Sequence, residues 1–243
     1  MWEIGIGSLF RDSQQWCGIH INQVDRYFQQ IEQQTCSQPL ICILEGHSVD
    51  DTRMVLQAYA NRMNNVLLLS CEQQCSTTVQ STTNQQRISY LSTIANRVLN
   101  ELKDRCQYIA WIESDLIIEP NVIEDLLTTL KETEAAIVAP LVFLQEKNST
   151  ERFYDTWGFV DSEDKPWASA SLIPQQRIVR MSSVGSCAVM DANFLCNNNI
   201  SFGTGAFREL CSSVRKHKGL ICVDTNVKVF HPGENGCKKR RWI

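Results

Sequence analysis

Glu113 and Asp115, one serine apart, end an apolar run that begins at Tyr108 (Tyr108-Ile-Ala-Trp-Ile-Glu-Ser-Asp115). Two carboxylates at this spacing offer hard oxygen ligands. Such ligands suit Mg²⁺ or Mn²⁺, ions that bind phosphates through one or two carboxylates and keep water on their other positions. As a strand the segment alternates, so Trp111, Glu113 and Asp115 fall on one face while Ile112 and Ser114 take the other. Spacing alone fits equally a strand end carrying solvated acids.

The scaffold that must hold these acids is legible from periodicity. Glu3 to Phe10 alternates and predicts a first strand that ends at Arg11-Asp12. Residues 19–33 carry Ile21, Val24, Phe28 and Ile31 at helical spacing. Pro39 to Leu44 predicts a buried second strand, broken at Glu45-Gly-His-Ser48. A helix with Met54, Leu56, Tyr59 and Met63 then opens at Asp51, and Val66 to Leu69 is a third strand. Glu72 to Gln86 is rich in Gln, Ser and Thr without periodicity and predicts a surface loop. The stripe Ile88, Leu91, Ile94, Ala95, Val98, Leu99, Leu102 predicts a helix leading into the acid-ended strand. A second stripe follows Pro120 (Val122, Ile123, Leu126, Leu127, Leu130), and Ala135 to Ala139 is a further strand. Strands alternating with helices predict an α/β fold with one doubly wound, mostly parallel sheet, whose ligands bind at the carboxyl edge. Beyond Pro140 the pattern turns irregular from Gln145 to Arg180, then gives a strand over Ser183–Met190, a helix over Phe207–Lys216 and a strand over Leu220–Phe230. Without repeat or linker, residues 1–243 read as a single domain.

Composition removes several classes. The chain of 243 residues is 43% hydrophobic and 21% charged, ordinary values for a folded domain, and its net charge of −4 gives no bulk attraction to nucleic acid. Apolar runs fall short of the roughly 20 residues that span a bilayer, and Met-Trp-Glu-Ile-Gly-Ile lacks the basic start and apolar core of a signal peptide. The 11 cysteines are scattered, and with only four histidines they build no zinc-type cluster. They predict reduced thiols and a cytoplasmic setting, in which the sequon Asn148-Ser-Thr has no role. Lys238-Lys-Arg-Arg241 is basic; it reads as a solvated terminus, with folding over a diphosphate or peripheral contact with anionic lipid as alternatives.

The order of parts resembles the GT-A fold of nucleotide-sugar glycosyltransferases, and more narrowly the CAP59-type α-1,3-mannosyltransferases, with a looser likeness to Anp1-type mannosyltransferases. The pieces that carry the resemblance are Glu45-Gly-His-Ser-Val-Asp-Asp-Thr52, Arg87-Ile-Ser-Tyr-Leu91 with Asn96, and Glu113-Ser-Asp115. They continue with Phe153-Tyr-Asp-Thr-Trp157, Ser183-Val-Gly-Ser-Cys-Ala-Val-Met-Asp191, Phe207-Arg-Glu209 and Val229-Phe-His231. By this likeness residues 1–143 are the nucleotide-binding half, and 144–243 the acceptor-side half and tail.

The resemblance also implies roles. Glu113 and Asp115 hold the metal, with Ser114 beside them at the donor, and His231 completes the metal shell; the structural alternative is a histidine capping a strand before Pro-Gly. Arg11 and Glu45 approach the base or ribose; the structural reading beside it is a helix N-terminus, with Asp50 or Asp51 as its cap and the acids favouring its dipole. Arg11 could equally be a surface charge. Arg87 and Asn96 line the donor pocket, unless they belong to a solvated helix face. Asp155 and Trp157 face the acceptor sugar, or Trp157 is a buried anchor. Glu209 sits where an inverting enzyme places its base; in a retaining enzyme it orients the acceptor, and otherwise it is an ordinary helix acid.

The function implied is a metal-dependent transfer of a sugar, mannose from GDP-mannose with retention, from a nucleoside diphosphate donor to a glycan or lipid-linked acceptor. The alternatives are an inverting transferase using a UDP-sugar, a sugar-phosphate nucleotidyltransferase, and a non-catalytic carbohydrate-binding relative. Ser8-Leu-Phe-Arg11 offers no Gly-rich phosphate loop for the nucleotidyltransferase.

Overall fold

The computed structural model describes residues 1–35, 38–71, 84–144, 152–154, 156, 158–167 and 173–232. Strand β1 (Trp2–Phe10) leads into helix α1 (Gln14–Thr35), β2 (Leu40–Glu45), α2 (Thr52–Arg62) and β3 (Val66–Ser70). Then come α3 (Gln85–Lys103), β4 (Cys106–Ile112), α4 (Val122–Thr133) and β5 (Ile137–Leu144). The remaining elements are β6 (Arg152–Phe153), β7 (Val160–Asp161), β8 (Ile178–Ser183), β9 (Cys187–Asp191), α5 (Ala192–Asn197), α6 (Ala206–Lys216) and β10 (Ile221–His231).

The strands form one sheet in the order β3-β2-β1-β4-β9-β5-β10-β8-β7, with β6 paired to β5. β3, β2, β1 and β4 are parallel, and β5 pairs parallel with β10. β9 enters antiparallel between β4 and β5. The α/β class and the mostly parallel winding expected from the alternating pattern are what the chain adopts. From β1 the order runs outward through β2 to β3, then returns to place β4 on the other side of β1. That reversal opens a crevice at the carboxyl ends of β1 and β4, the place where open α/β sheets bind ligands.

β1 shows how the two faces are built. Gly5 and Gly7 face α3, where a Cβ on Gly5 would lie 2.7 Å from Cys106 Sγ and 2.8 Å from Leu102 Cδ2. Bare backbone there lets the helix lie close to the sheet. On the other face Ser8 Oγ meets His20 Nε2 of α1 at 3.1 Å, and the Phe10 ring stands edge-on to His20.

Two sequence expectations shift. The strand expected through Asp115 stops at Ile112, because Leu116 N–H turns back to Glu113 O at 3.2 Å. Alternation therefore no longer governs which way the acids point. The single strand expected over 183–190 is two strands, β8 and β9, interrupted around Ser186, whose φ of 58° no extended run can contain. The short α5 was not anticipated. The loop expected over 72–86 lies outside the described residues up to 83; Asn84 then caps α3, its side chain accepting from Gln86 and Arg87 N–H. The sequon at Asn148 is outside the described residues as well.

Candidate donor and metal site

The turn after β4 is fastened on three sides. Glu113 N–H donates to Ser186 O at 3.1 Å. Ile117 and Phe230 of β10 exchange two backbone hydrogen bonds, of 2.7 and 2.9 Å. From α1, the Gln23 side chain uses both ends of its amide. Its Nε2 donates to Leu116 O at 3.1 Å, and its Oε1 accepts from Ile118 N–H at 3.0 Å.

This bracing brings the residue after Phe230 onto the turn. His231 Nε2 lies 2.9 Å from Asp115 Oδ2, with both side chains largely buried. The Tyr154 ring stacks on the imidazole, centroids 4.3 Å apart and planes at 24°. Ser114 is buried, and Glu113 stands exposed on the same turn. Among the described residues no cluster of three or more His, Cys, Asp or Glu side chains forms a metal cage. Asp115 and His231 share a hydrogen bond, and their carboxylate oxygen and ring nitrogen are the two groups on this turn that would hold an ion. A carboxylate oxygen and an imidazole nitrogen are donors that Mn²⁺ or Mg²⁺ would accept beside phosphate and water, and bound there the ion would supply positive charge to a diphosphate.

At the neighbouring edge the loops after β1 and β2 are laced together. Asp12 N–H donates to Ser48 Oγ at 3.0 Å and Val49 N–H to Asp12 Oδ1 at 2.8 Å. Ser13 N–H reaches Thr52 Oγ1 and Gln14 N–H reaches Asp50 Oδ2. Asp50 also accepts from Thr52 N–H. Asp51 makes no side-chain cap bond but accepts from Gln14 Nε2. These two acids are structural. Glu45 is fully buried at the carboxyl end of β2. Its Oε1 accepts from Ser48 N–H at 2.6 Å, and its Oε2 has no hydrogen-bond partner among the described residues. Arg11 packs against the same corner, its Cβ 3.2 Å from where a Cβ on Gly46 would sit.

α3 presents a polar stripe to the loop before α6. Asn96 Oδ1 accepts from Phe202 N–H at 2.8 Å, Ser92 Oγ from Ala206 N–H at 3.0 Å, and Gln85 Nε2 donates to Thr204 O. Asn96 thus docks a loop, while Arg87 sits half-buried in the first turn of the same helix. Glu209, in the first turn of α6, reaches back so that Oε2 accepts from both Thr204 N–H and Thr204 Oγ1. Those bonds hold its carboxyl below the usual carboxylate range. The fit is close: a Cβ on Gly203, itself at φ 58°, would lie 2.4 Å from Glu209 Cδ. Phe202 and Phe207 of this segment pack on Trp111 of β4.

Asp155, Trp157 and Lys238 to Arg241 lie outside the described residues. The thiols expected to be reduced are free at all the described positions, and all but Cys196 are buried. Burial pushes Cys17, Cys42, Cys106 and Cys187 up to about 12, so they are poor nucleophiles at neutral pH. Gln23 and Tyr154 escaped sequence reasoning. Gln23 falls on a helix face whose signal is carried by its apolar neighbours, and Tyr154 belongs to a quoted motif in which the acid and the tryptophan drew the roles.

A family model described as Cryptococcal mannosyltransferase 1 matches residues 6–214. No curated protein matches the sequence. Among solved structures, S. aureus TarS residues 1–349 superposes with a TM-score of 0.60 at 11% identity, covering 96% of this chain and 61% of that one. Its complex with UDP-GlcNAc gives 0.62 at 12%, covering 98% and 61%. Its complex with UDP gives 0.60 at 12%, covering 95% and 60%. At such identities the likeness speaks for a shared GT-A-type fold, and the chain spans about three fifths of the TarS chain it matches.

Proposed function

The chain belongs to the Cryptococcal mannosyltransferase 1 family, a family of glycosyltransferases, and from that premise we propose that it moves a sugar from a nucleoside diphosphate donor to a glycan or lipid-linked acceptor with the help of Mn²⁺ or Mg²⁺. The observation that carries this reading is the Asp115–His231 pair, 2.9 Å apart at the switch point of the sheet. When bound there, the ion offsets the negative charge that grows on the departing diphosphate. Asp115 contributes the anionic oxygen and His231 the ring nitrogen. Glu113, exposed on the same turn, is the further carboxylate that would help to hold the ion. Ser114, buried in the same turn, is the proposed donor contact beside them.

Glu45 supports a role at the nucleoside. A buried carboxylate oxygen without a partner is costly, and a base or ribose N–H or O–H would satisfy it. Arg11, ion-paired with Asp12 at 3.6 Å, and Arg87 are the proposed cationic contacts to the donor, at its base or ribose and in its pocket. We take GDP-mannose as the donor from the family. The binding of UDP-GlcNAc by TarS favours a second reading with a UDP-sugar. Retention is taken from the family likeness: in a retaining reaction the departing phosphate can take the acceptor proton, which leaves Glu209 free of the base role. Its two bonds to Thr204 make it a clasp for the loop that α3 docks. Asp155 remains the proposed acceptor contact. We also propose a cytoplasmic enzyme with peripheral membrane contact through Lys238 to Arg241; among the described residues no helix is long and apolar enough to cross a membrane.

The test is nucleoside diphosphate release across a panel of GDP- and UDP-sugars, with and without Mn²⁺. Asp115→Ala should abolish the metal-dependent release while the protein stays folded. Full activity in that variant removes the metal role. Release from no donor leaves the carbohydrate-binding reading ahead.

A further inference from the structure

We infer that Tyr154 is a positioning residue for His231 and fixes the plane in which the imidazole offers its nitrogen. The inference deepens the metal reading above and rests on it. Three constraints meet at this ring. Its backbone follows Phe230, which is bonded to Ile117. Its Nε2 edge is 2.9 Å from Asp115 Oδ2. Its flat face is covered by Tyr154 at 4.3 Å, with the planes only 24° apart. Tilt about the last torsion of the side chain is a motion that backbone and edge contacts oppose only weakly. A rigid plate lying nearly parallel to the ring blocks that tilt.

The plate itself is well anchored. β5 runs between β6 and β10, with Phe143 paired to Phe153 on one side and Leu144 to His231 on the other. Phe153 is buried against Phe143, Phe159 and Trp167, with ring centroids 5.3 to 6.2 Å apart. Tyr154 N–H donates to Val142 O at 2.8 Å. Neighbouring residues on extended backbone point to opposite sides. Burying Phe153 in its aromatic cluster therefore turns Tyr154 the other way, onto the imidazole. The acceptor-side segment thus reaches back to orient a donor-side ligand.

Only the aromatic face is needed, so the hydroxyl should be dispensable. Residues that orient a metal-bound histidine typically change affinity tenfold to a hundredfold when lost. The test is a titration with Mn²⁺ alone, free ion being followed by electron paramagnetic resonance and needing no turnover. Tyr154→Phe should bind as the unaltered protein does. Tyr154→Leu, which keeps apolar bulk without a flat face, should bind about tenfold or more weakly; Tyr154→Met serves if the leucine variant does not fold. In a His231→Ala background the same replacement should add no further loss. Equal affinity in the leucine or methionine variant overturns the inference, and so does an equal loss in the His231→Ala background. Should His231→Ala itself bind Mn²⁺ like the unaltered protein, the ligand reading fails and this inference falls with it, whatever Tyr154 does.

Discussion

Lowering the pH should destabilise this protein through one buried histidine. His20 lies on α1, 2% exposed, between Ser8 and the edge-on ring of Phe10. Its Nδ1 has no hydrogen-bond partner among the described residues. Burial penalises the charged imidazolium and lowers the pKa from 6.5 to about 4. In the unfolded chain His20 takes up a proton as the pH falls through about 6.5, while in the folded protein it resists until about 4. The unfolded state thus binds more protons throughout that window. Stability is full above about 6.5, declines between 6.5 and 4, and loses nothing further from this group below 4. At about 1.4 kcal/mol per pH unit, the gap amounts to about 3 kcal/mol, a large share of the total for a domain of this size. Urea unfolding from pH 4 to 8 at fixed ionic strength should show it, against His20→Gln as reference. The variant keeps an amide toward Ser8 and shares every carboxylate contribution. It should be less stable or equal at pH 8, yet lose about 3 kcal/mol less on acidification. Parallel pH profiles for the two proteins would refute the reasoning.

Gln23→Met keeps the shape but leaves Leu116 O and Ile118 N–H buried without their present partners; it should cost about 1–3 kcal/mol in urea unfolding and lower kcat for sugar transfer, because the acid turn loosens. A variant as active and as stable as the parent would show the clamp to be idle. Gly5→Ala places a methyl 2.7 Å from Cys106 Sγ and 2.8 Å from Leu102 Cδ2, so α3 or its side chains must shift. The expected loss is about 1–3 kcal/mol, read as a lower urea midpoint, and an unchanged midpoint contradicts the close packing. Glu209→Gln should reduce the transfer rate less than tenfold, since an amide oxygen can still accept from Thr204. A fall of several orders of magnitude would instead mark Glu209 as the base of an inverting reaction.

Local pattern determined much of this protein. The helical stripe from Ile88 to Leu102 and the apolar run of β1, buried on both faces, need only neighbours within a turn or two, because which residues leave water is largely a local decision written in residue spacing. The short motifs, too, carried the family and the acids at 113 and 115. What the sequence left undecided is which of those groups meet. Alternation placed Glu113 and Asp115 together, but the ladder ends at Ile112 and the chain turns. One acid is then exposed while the other is buried against His231, 116 residues away. Gln23 bonds to Leu116 across 93 residues. Asn96, for which the resemblance implied a donor contact, accepts from a loop 106 residues on. Such partnerships depend on the order of strands in the sheet and on an antiparallel β9 that no local period announces. Only the closed tertiary structure sets them, because a hydrogen bond is decided by tenths of an ångström between atoms that spacing along the chain does not relate.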